Sequence, residues 1–254
     1  LGVEFKTKAT VSKILTDDQK NVTGLVVNGE EIEANMILSG ADYHHTETLL
    51  DESVRQYSEK YWDKKTFAPS SLLFYVGFDK KIENVSHHTL FFDTDFDVHA
   101  AEIYDNPKWP TDPLFYANFT SMTDPTSAPE GKEAGFFLIP LAPGIEDTEA
   151  LRAEYFDKIM DRFEQRTNQK VKSSVLFKRS FCVNDFKEAY NSYKGNAYGM
   201  ANTLLQTAFL RPNIKSSKVG NLFFTGQLTV PGPGVPPALI SGKLASELII
   251  KKQS

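Results

Sequence analysis

Residues 224–238, with the sequence FTGQLTVPGPGVPPA, hold the most distinctive grouping of residue types in the chain. An apolar, strand-like run precedes Gly226, and the prolines after Gly234 favour the first turn of a helix. Gly232 and Gly234 allow a backbone to approach a ligand closely, and a helix N-terminus favours negative charge. The segment predicts a main-chain site for an anionic or electron-rich ligand. A loop braced by proline and glycine before a purely structural helix would give the same pattern.

The usual dinucleotide fingerprint is absent from the sequence. No G-x-G-x-x-G follows a predicted strand with an acidic residue about 20 positions later. Gly232-Pro233-Gly234 lacks the third glycine, and Pro236-Pro237 would obstruct the tight turn. If the chain takes part in dinucleotide binding, we expect the pyrophosphate cradle to lie outside it.

Histidines and aspartates offer two further candidate sites, and neither pattern favours a metal. The five histidines are His44, His45, His87, His88 and His99. Neighbouring residues of a strand point to opposite faces, so we predict exposed or loop histidines rather than ligands.

Asp93, Asp95 and Asp97 begin like a calcium loop, but Val98 and Tyr104 occupy its sixth and twelfth positions. A solvated acidic turn is therefore predicted there, and no metal site is predicted anywhere in the chain.

The elements that would position these residues follow from hydrophobic periodicity. Asn28-Gly29 is a strong signal for a tight turn between two strands. Strands are predicted at 10–15, 22–27, 31–38, 71–78, 89–92, 114–120, 135–141, 171–181 and 221–226. Helical segments are predicted at 46–50, 148–166 and 236–251.

This order predicts a mixed α+β fold in which both ends of the chain form one domain around an insert. The first domain is assigned residues 1–50 and 215–254, and the inserted mixed-sheet domain residues 51–214. Leu1 to Phe5 resembles the interior of a strand and has no initiator Met or signal segment, so we expect a piece of a longer protein.

Composition narrows the classes of function. The chain has 254 residues, is 41% hydrophobic and 24% charged, and carries a formal charge of −5. Those values exclude a disordered chain and argue against nucleic-acid binding. Cys182 is the only cysteine in the sequence, which excludes an intrachain disulfide and a Cys-based zinc site. No apolar run approaches the roughly 18 residues that span a bilayer, so any membrane contact would be peripheral.

Four ordered blocks resemble the bacterial-type phytoene desaturases, a family of FAD-dependent flavoproteins related to amine oxidases. The blocks are ADYHHTE at 41–47, TDPTSAPEG at 123–131, YKGNAYG with LLQTAFLRP within 193–212, and GQLTVPGPGVP at 226–236. The likeness extends from about residue 3 to 250. Over that range the chain resembles only the C-terminal half of the family's proteins. It implies that the two chain ends form part of an FAD-binding domain and that residues between them form the substrate domain.

The resemblance also implies roles for individual residues. Gly226 and Gln227 would lie beside the ribityl-pyrophosphate of FAD, and Val11 beside the adenine. The isoalloxazine edge would meet Gly234, Val235 and Pro236. The remaining diphosphate-binding residues would belong to the N-terminal half of the same protein, so we expect the isolated chain to bind FAD weakly or not at all and to be inactive.

The function implied is desaturation of phytoene in carotenoid biosynthesis, with hydride transfer from a long apolar polyene to FAD. The catalytic base is not identified. The aromatic pairs Phe74-Tyr75, Phe91-Phe92 and Phe136-Phe137 could line a polyene site or could pack in the core of the sheet. Because side chains alternate along a strand, one ring of each pair could do each. A cytoplasmic protein in peripheral contact with a membrane is expected. A retinol-saturase-like or other carotene-modifying flavoprotein, and a non-catalytic lipid-binding module, are the alternatives.

Overall fold

The computed structural model describes residues 2–253, so Leu1 and Ser254, the outermost residues of the predicted first domain, lie outside the described residues. The strands are β1 (Val11–Thr16), β2 (Val22–Val27), β3 (Glu30–Glu33), β4 (Ile37–Ser39), β5 (Ser70–Phe78), β6 (His88–Phe91), β7 (Phe115–Phe119), β8 (Glu133–Leu141), β9 (Val175–Phe181) and β10 (Leu222–Phe224). The α-helices are α1 (Tyr43–Thr48), α2 (Glu59–Asp63), α3 (Phe96–Tyr104), α4 (Glu149–Thr167), α5 (Val183–Tyr190) and α6 (Val235–Gln253). The predicted mixed α+β fold class is confirmed.

The chain divides into two compact units. The first contains the residues up to Ala68, Tyr190–Tyr193 and the residues from Tyr198 onward. The second contains Pro69–Ala189 and Lys194–Ala197. These boundaries differ from the predicted ranges, because residues 51–68, 190–193 and 198–214 belong to the first unit rather than to an insert.

The first unit contains two small sheets. Strands β1, β2 and β3 form an antiparallel meander, and Asn28 and Gly29 connect β2 to β3 with φ angles of 52° and 88°. Two positive φ values in a two-residue loop define the tight turn that the Asn-Gly pair predicts. Strands β4 and β10 pair in parallel, and a bridge between Asn21 and Gly220 lies alongside this pair.

Aromatic side chains fill the core of the first unit. Tyr43 on α1 stacks on Phe224 of β10, with ring centroids 3.7 Å apart, and Trp62 on α2 is fully buried. Tyr43 follows Asp42, whose carboxylate accepts the N–H of His45 and caps α1. The cap therefore fixes the helix that brings Tyr43 onto the end of the last strand.

The second unit is a five-stranded antiparallel sheet in the order β6-β7-β8-β5-β9. One face of the sheet packs on α4, where Phe163 meets Phe119 and Phe137 at ring-centroid distances of 5.9 and 5.6 Å. Residues of β8 alternate in burial along the strand because side chains alternate between the faces. The opposite face is half-buried and largely apolar.

Helix α4 agrees closely with its prediction. Thr148 caps it by accepting the N–H of Leu151 at 3.2 Å, and Asn168 ends it in the left-handed conformation. The four-residue spacing of Leu151, Tyr155, Ile159 and Phe163 predicts a buried stripe. Tyr155, Ile159 and Phe163 are buried, whereas Leu151 in the first turn is half-buried.

Other elements differ from the predictions. Helix α3 lies where no helix was predicted, and residues 172–174 form a 3₁₀ turn that shortens the predicted strand to β9. The predicted strand at 31–38 is broken into β3 and β4. Residues 2–10 form no strand, and Phe5 is almost fully exposed, so the expectation that residues 1–5 continue a sheet is wrong for the four described ones.

Candidate functional site

The segment after β10 forms a compact loop that is held to α6. Gly226 has a φ of +106°, and a Cβ atom placed on it would meet nothing within 4 Å. Its N–H donates to Oγ of Ser241 at 2.8 Å, and its carbonyl oxygen accepts the N–H and the hydroxyl of Thr229 at 3.1 and 2.9 Å. The loop therefore requires glycine for its backbone conformation and leaves open space beside Gly226.

Gln227 lies against Gly199, where an added Cβ would approach the Gln227 side chain and carbonyl to 3.0 and 3.1 Å. Gly232 and Gly234 also have positive φ angles, 131° and 114°. Gly234, Val235 and Pro236 are exposed at the start of α6. The structure thus places five predicted site residues, all except Val11, on one continuous loop with an exposed end.

The N-terminus of α6 has fewer free donors than the sequence led us to expect. Pro236 and Pro237 have no N–H, and the N–H of Ala238 donates to the carbonyl oxygen of Gly234 at 2.9 Å. Among the described residues, no hydrogen bond engages the N–H of Val235, which is the remaining donor of this first turn. The helix dipole is still directed to this end, but binding by several N–H groups, as in a phosphate-binding helix, is not available.

Val11 lies elsewhere in the first unit. It begins β1, is half-buried, and pairs with Val27 of β2. The glycine loop follows β10, which belongs to the other sheet of the unit. The bridge between Asn21 and Gly220 joins the residue before β2 to the segment before β10. The structure describes no contact of Val11 with the glycine loop.

Two residues of this site escaped the sequence-based prediction. Ser241 is fully buried on α6, and its hydroxyl accepts the Gly226 N–H and donates to the carbonyl of Ala238 at 2.6 Å. Arg211 is buried below the loop and donates to the carbonyl oxygen of Gln227 at 3.4 Å. Both residues lie within or beside the family blocks, but only the folded chain brings them to the loop.

The open face of the second unit's sheet forms an apolar groove. Helix α3 borders a cavity of about 340 Å³ whose walls are almost entirely apolar. Its lining includes Leu90, Phe92, Phe96, Ile103, Tyr116 and Leu138. A cavity of this size and chemistry fits part of an apolar ligand.

The aromatic pairs divide between the two faces of this sheet as predicted. Phe74, Phe91 and Phe137 are buried in the core, whereas Tyr75, Phe92 and Phe136 are half-buried or exposed. Tyr75 and Phe136 are neighbours on the open face, with ring centroids 5.3 Å apart.

The placement of the paired histidines differs from the prediction. His44 and His45 lie on α1 rather than in a strand, and His44 contacts the Glu59 carboxylate at 2.9 and 3.0 Å. The rings of His87 and His88 lie 4.4 Å apart instead of pointing to opposite faces, because His87 precedes β6. No group of three or more His, Cys, Asp or Glu side chains that could hold a metal occurs within residues 2–253.

His99 is buried, contrary to the prediction of an exposed or loop histidine. Its Nδ1 accepts the N–H of Leu114 at 3.1 Å, and its Nε2 donates to the carbonyl oxygen of Pro140 at 2.9 Å. Burial lowers the pKa of this imidazole below its ordinary value. His99 is a neutral, fully hydrogen-bonded core residue beside the groove.

Within the acidic run, Asp93 is a structural residue, whereas Asp95 and Asp97 are exposed at the start of α3. Asp93 is paired with Arg162 and Arg166, the latter at 2.8 Å, and Asp95 caps α3 by accepting the N–H of Asp97 at 2.8 Å. Burial raises the pKa of Asp93, but the hydrogen bonds from the two arginines outweigh it and leave the pKa below its ordinary value. The prediction of a solvated turn is wrong for Asp93 because α4 supplies two cations.

Comparison with solved structures defines the class of fold. The chain superposes on an oxidoreductase from Methanosarcina mazei with a TM-score of 0.59 and 15% identity, covering 94% of this chain and 49% of that one. It also superposes on a protein from Exiguobacterium designated a protoporphyrinogen oxidase, with a TM-score of 0.55 and 10% identity over 95% of this chain and 46% of that one. The chain has a fold found in oxidoreductases.

Sequence comparison shows the relatives of the chain. No family model matches the chain. It is 41% identical over 252 residues to the carotenoid 3,4-desaturase of Haloarcula japonica, which covers 99% of this chain and 51% of that protein. It is 32% identical over 266 residues to the phytoene desaturase of Phycomyces blakesleeanus, covering 98% and 44%. The chain is a homologue of the carotenoid and phytoene desaturases, and it spans about half the length of the curated relatives it matches.

Proposed function

We propose that this chain is the C-terminal half of an FAD-dependent carotenoid desaturase, which introduces double bonds into phytoene or a related carotenoid. The observation that carries the proposal is the 41% identity to a carotenoid 3,4-desaturase along 99% of the chain. A polypeptide corresponding to the other half of the relatives would complete the protein. We call the chain joined to that polypeptide, or mixed with it, the reconstituted protein.

The residues of the glycine loop fit one side of a flavin site. The open space beside Gly226 and the exposed backbone at Gly234 allow a flat cofactor to approach main chain. We assign Gly226 and Gln227 to the ribityl-pyrophosphate and Gly234, Val235 and Pro236 to the isoalloxazine edge. Val11 is assigned to the adenine, on the resemblance alone. Bound FAD would supply the hydride acceptor that desaturation of a C–C bond requires.

The open sheet face of the second unit fits the substrate. Its side chains Leu90, Phe92, Tyr116 and Leu138 offer apolar contact and no cation or carboxylate at the groove wall. Such a surface removes a hydrocarbon from water and binds it through buried apolar contact area rather than through hydrogen bonds. The chain's own contribution would therefore be to orient the polyene and exclude water.

Peripheral contact with a cytoplasmic membrane surface is part of the proposal, because phytoene is insoluble in water. No helix within residues 2–253 is long and apolar enough to cross a bilayer. The two 3₁₀ turns at Leu204–Gln206 and Ala208–Leu210 expose Leu204, Leu205 and Phe209 by 92%, 78% and 88%. Gln206 between them is buried and hydrogen-bonds the N–H and carbonyl of Thr66, which holds this apolar tip in place.

The decisive test is turnover by the reconstituted protein. Phytoene in phospholipid vesicles is incubated with FAD and the chain alone, the other half alone, or both. We expect products with a red-shifted polyene spectrum only when both halves are present. If none of the three samples shows the red shift and the chain still retains phytoene, the chain is a lipid-binding module and not part of a desaturase. Products with fewer double bonds than the substrate would indicate a saturase.

A further inference from the structure

Arg211 is a buried cation whose hydrogen bonds all go to neutral groups. The side chain is 2% exposed. Its Nη2 donates to the carbonyl oxygen of Met200 at 2.8 Å and to Oδ1 of Asn202 at 2.6 Å, and its Nη1 donates to the carbonyl oxygen of Gln227 at 3.4 Å. Its Nε is buried and has no hydrogen-bond partner among the described residues. A buried, unsatisfied donor of this kind requires an explanation.

The second unit contains a buried arginine of the ordinary kind. Arg152 donates to both carboxylate oxygens of Asp147 at 2.7 Å and also pairs with Asp185 at 2.7 Å. The hydrogen bonds that Arg152 donates to Asp147 raise the pKa of Arg152, whereas burial lowers the pKa of Arg211. Within residues 2–253 no carboxylate pairs with Arg211, so its charge is not compensated.

The guanidinium of Arg211 lies directly under the glycine loop. A Cβ atom on Gly232 would come within 2.9 Å of its Nη2, and its Nη1 contacts the carbonyl oxygen of Gln227. Arg211 therefore connects the loop to the segment around Met200 and Asn202, and its positive charge lies close below the backbone that we assign to the flavin.

A buried charge without a counter-ion is unfavourable, and an anion bound nearby in a low-dielectric site reduces that cost. We propose that Arg211 is a positioning residue for FAD, which fixes the loop and supplies the positive charge that the negatively charged diphosphate of the cofactor compensates. This inference rests on the proposed function. It assigns Arg211 to the flavin site and explains why the site would bind FAD, which carries a diphosphate, in preference to an uncharged flavin.

The test compares a charged and an uncharged flavin on the reconstituted protein. Dissociation constants for FAD and for riboflavin, which has no phosphate, are measured by flavin fluorescence for the wild type, Arg211→Met, Arg211→Gln and Arg211→Lys. Loss of the charge is expected to weaken FAD binding about tenfold more than riboflavin binding, in line with a charged hydrogen-bond contribution. Arg211→Lys is expected to retain the wild-type ratio of the two affinities.

The matched control is Arg152→Met, which removes a buried arginine from a neutralised pair in the second unit. We expect it to lower the unfolding temperature and to leave the FAD-to-riboflavin ratio unchanged. If Arg211→Met does not fold, Arg211→Gln retains hydrogen-bond donors without the charge and gives the same comparison.

If Arg211 has only a structural role, its loss weakens the binding of both flavins equally. That result overturns the inference, and desaturation by the wild-type reconstituted protein would still support the proposed function. Failure of the wild-type reconstituted protein to bind FAD overturns the proposed function and this inference with it. The two failures are therefore distinguishable.

Discussion

Glu47 is a buried carboxyl group whose protonation should affect the stability of the first unit. It is 2% exposed, and it accepts the N–H groups of Gln56 at 2.7 Å and Tyr57 at 3.2 Å. Burial raises its pKa from 4.5 to about 7, against the opposing effect of those hydrogen bonds. A folded-state pKa above the unfolded value means that the associated stability is present below pH 4.5 and is lost as pH rises through 7.

We expect Glu47→Gln to become more stable relative to the wild type as pH rises from 4.5 to 8, by at most about 3 kcal/mol. Urea unfolding of both proteins across this range measures the difference. The comparison separates Glu47 from His99, whose lowered pKa acts in the opposite direction below pH 6.5. A constant difference between variant and wild type would contradict the assignment.

Gly234 has a backbone conformation that a branched side chain adopts only with strain. Its φ is +114°, and an added Cβ would lie 3.3 Å from Cδ of Pro237. In the reconstituted protein we expect Gly234→Val to lower turnover about a hundredfold, because a displaced flavin ring loses its alignment with the substrate. Bound flavin and phytoene conversion are measured together.

Gly131→Val is the control for Gly234→Val. Gly131 has a φ of +75° and no atom within 4 Å of an added Cβ, so it carries similar backbone strain away from the loop. Near-normal turnover in Gly234→Val, or equal losses in both variants, would remove Gly234 from the flavin site.

At the scale of elements, α3 is a helix that periodicity did not predict, and it borders the groove. Ala100 lines the groove, whereas Val98 is half-exposed on the same helix and is not part of the lining. We expect Ala100→Phe to reduce phytoene retention by the chain by about tenfold, since added volume fills the space for the ligand. Val98→Phe should retain the wild-type value, and equal retention by both variants would exclude this groove.

The strands and long helices were predictable because their patterns are local. Thr148 and the spacing of Tyr155, Ile159 and Phe163 specify α4 without reference to the rest of the chain. Asn28-Gly29 likewise specifies the turn between β2 and β3. The short α3 has a weaker pattern and depends on the Asp95 cap and on packing against the sheet. Weak local signals of this kind are decided by tertiary contacts.

The site was only partly predictable for the same reason. The glycine spacing of the loop is visible in the sequence, but Ser241 and Arg211 reach it only through folding. The pairing of Asp93 with α4 likewise joins residues about 70 positions apart. Charges that look solvated in sequence can therefore be buried partners in the fold.

At the scale of the whole molecule, the chain should bind FAD poorly by itself. The first turn of α6 has two prolines and one unengaged N–H, which provides no diphosphate cradle. Titration of the isolated chain with FAD is expected to give a dissociation constant above about 10 μM. Tight stoichiometric binding would show that the chain contains a complete cofactor site.

The pairing of β4 with β10 has a consequence for the order of events during synthesis. Ile37 meets Leu222, so the parallel pair cannot form until nearly all of the chain has left the ribosome. The five strands of the second unit all lie between Ser70 and Phe181, and that sheet can assemble while the rest is still being made. During that interval Val22, Tyr43 and Trp62 of the first unit lack the strand that completes their core, so their apolar surface stays exposed to water until Leu222–Phe224 has been made.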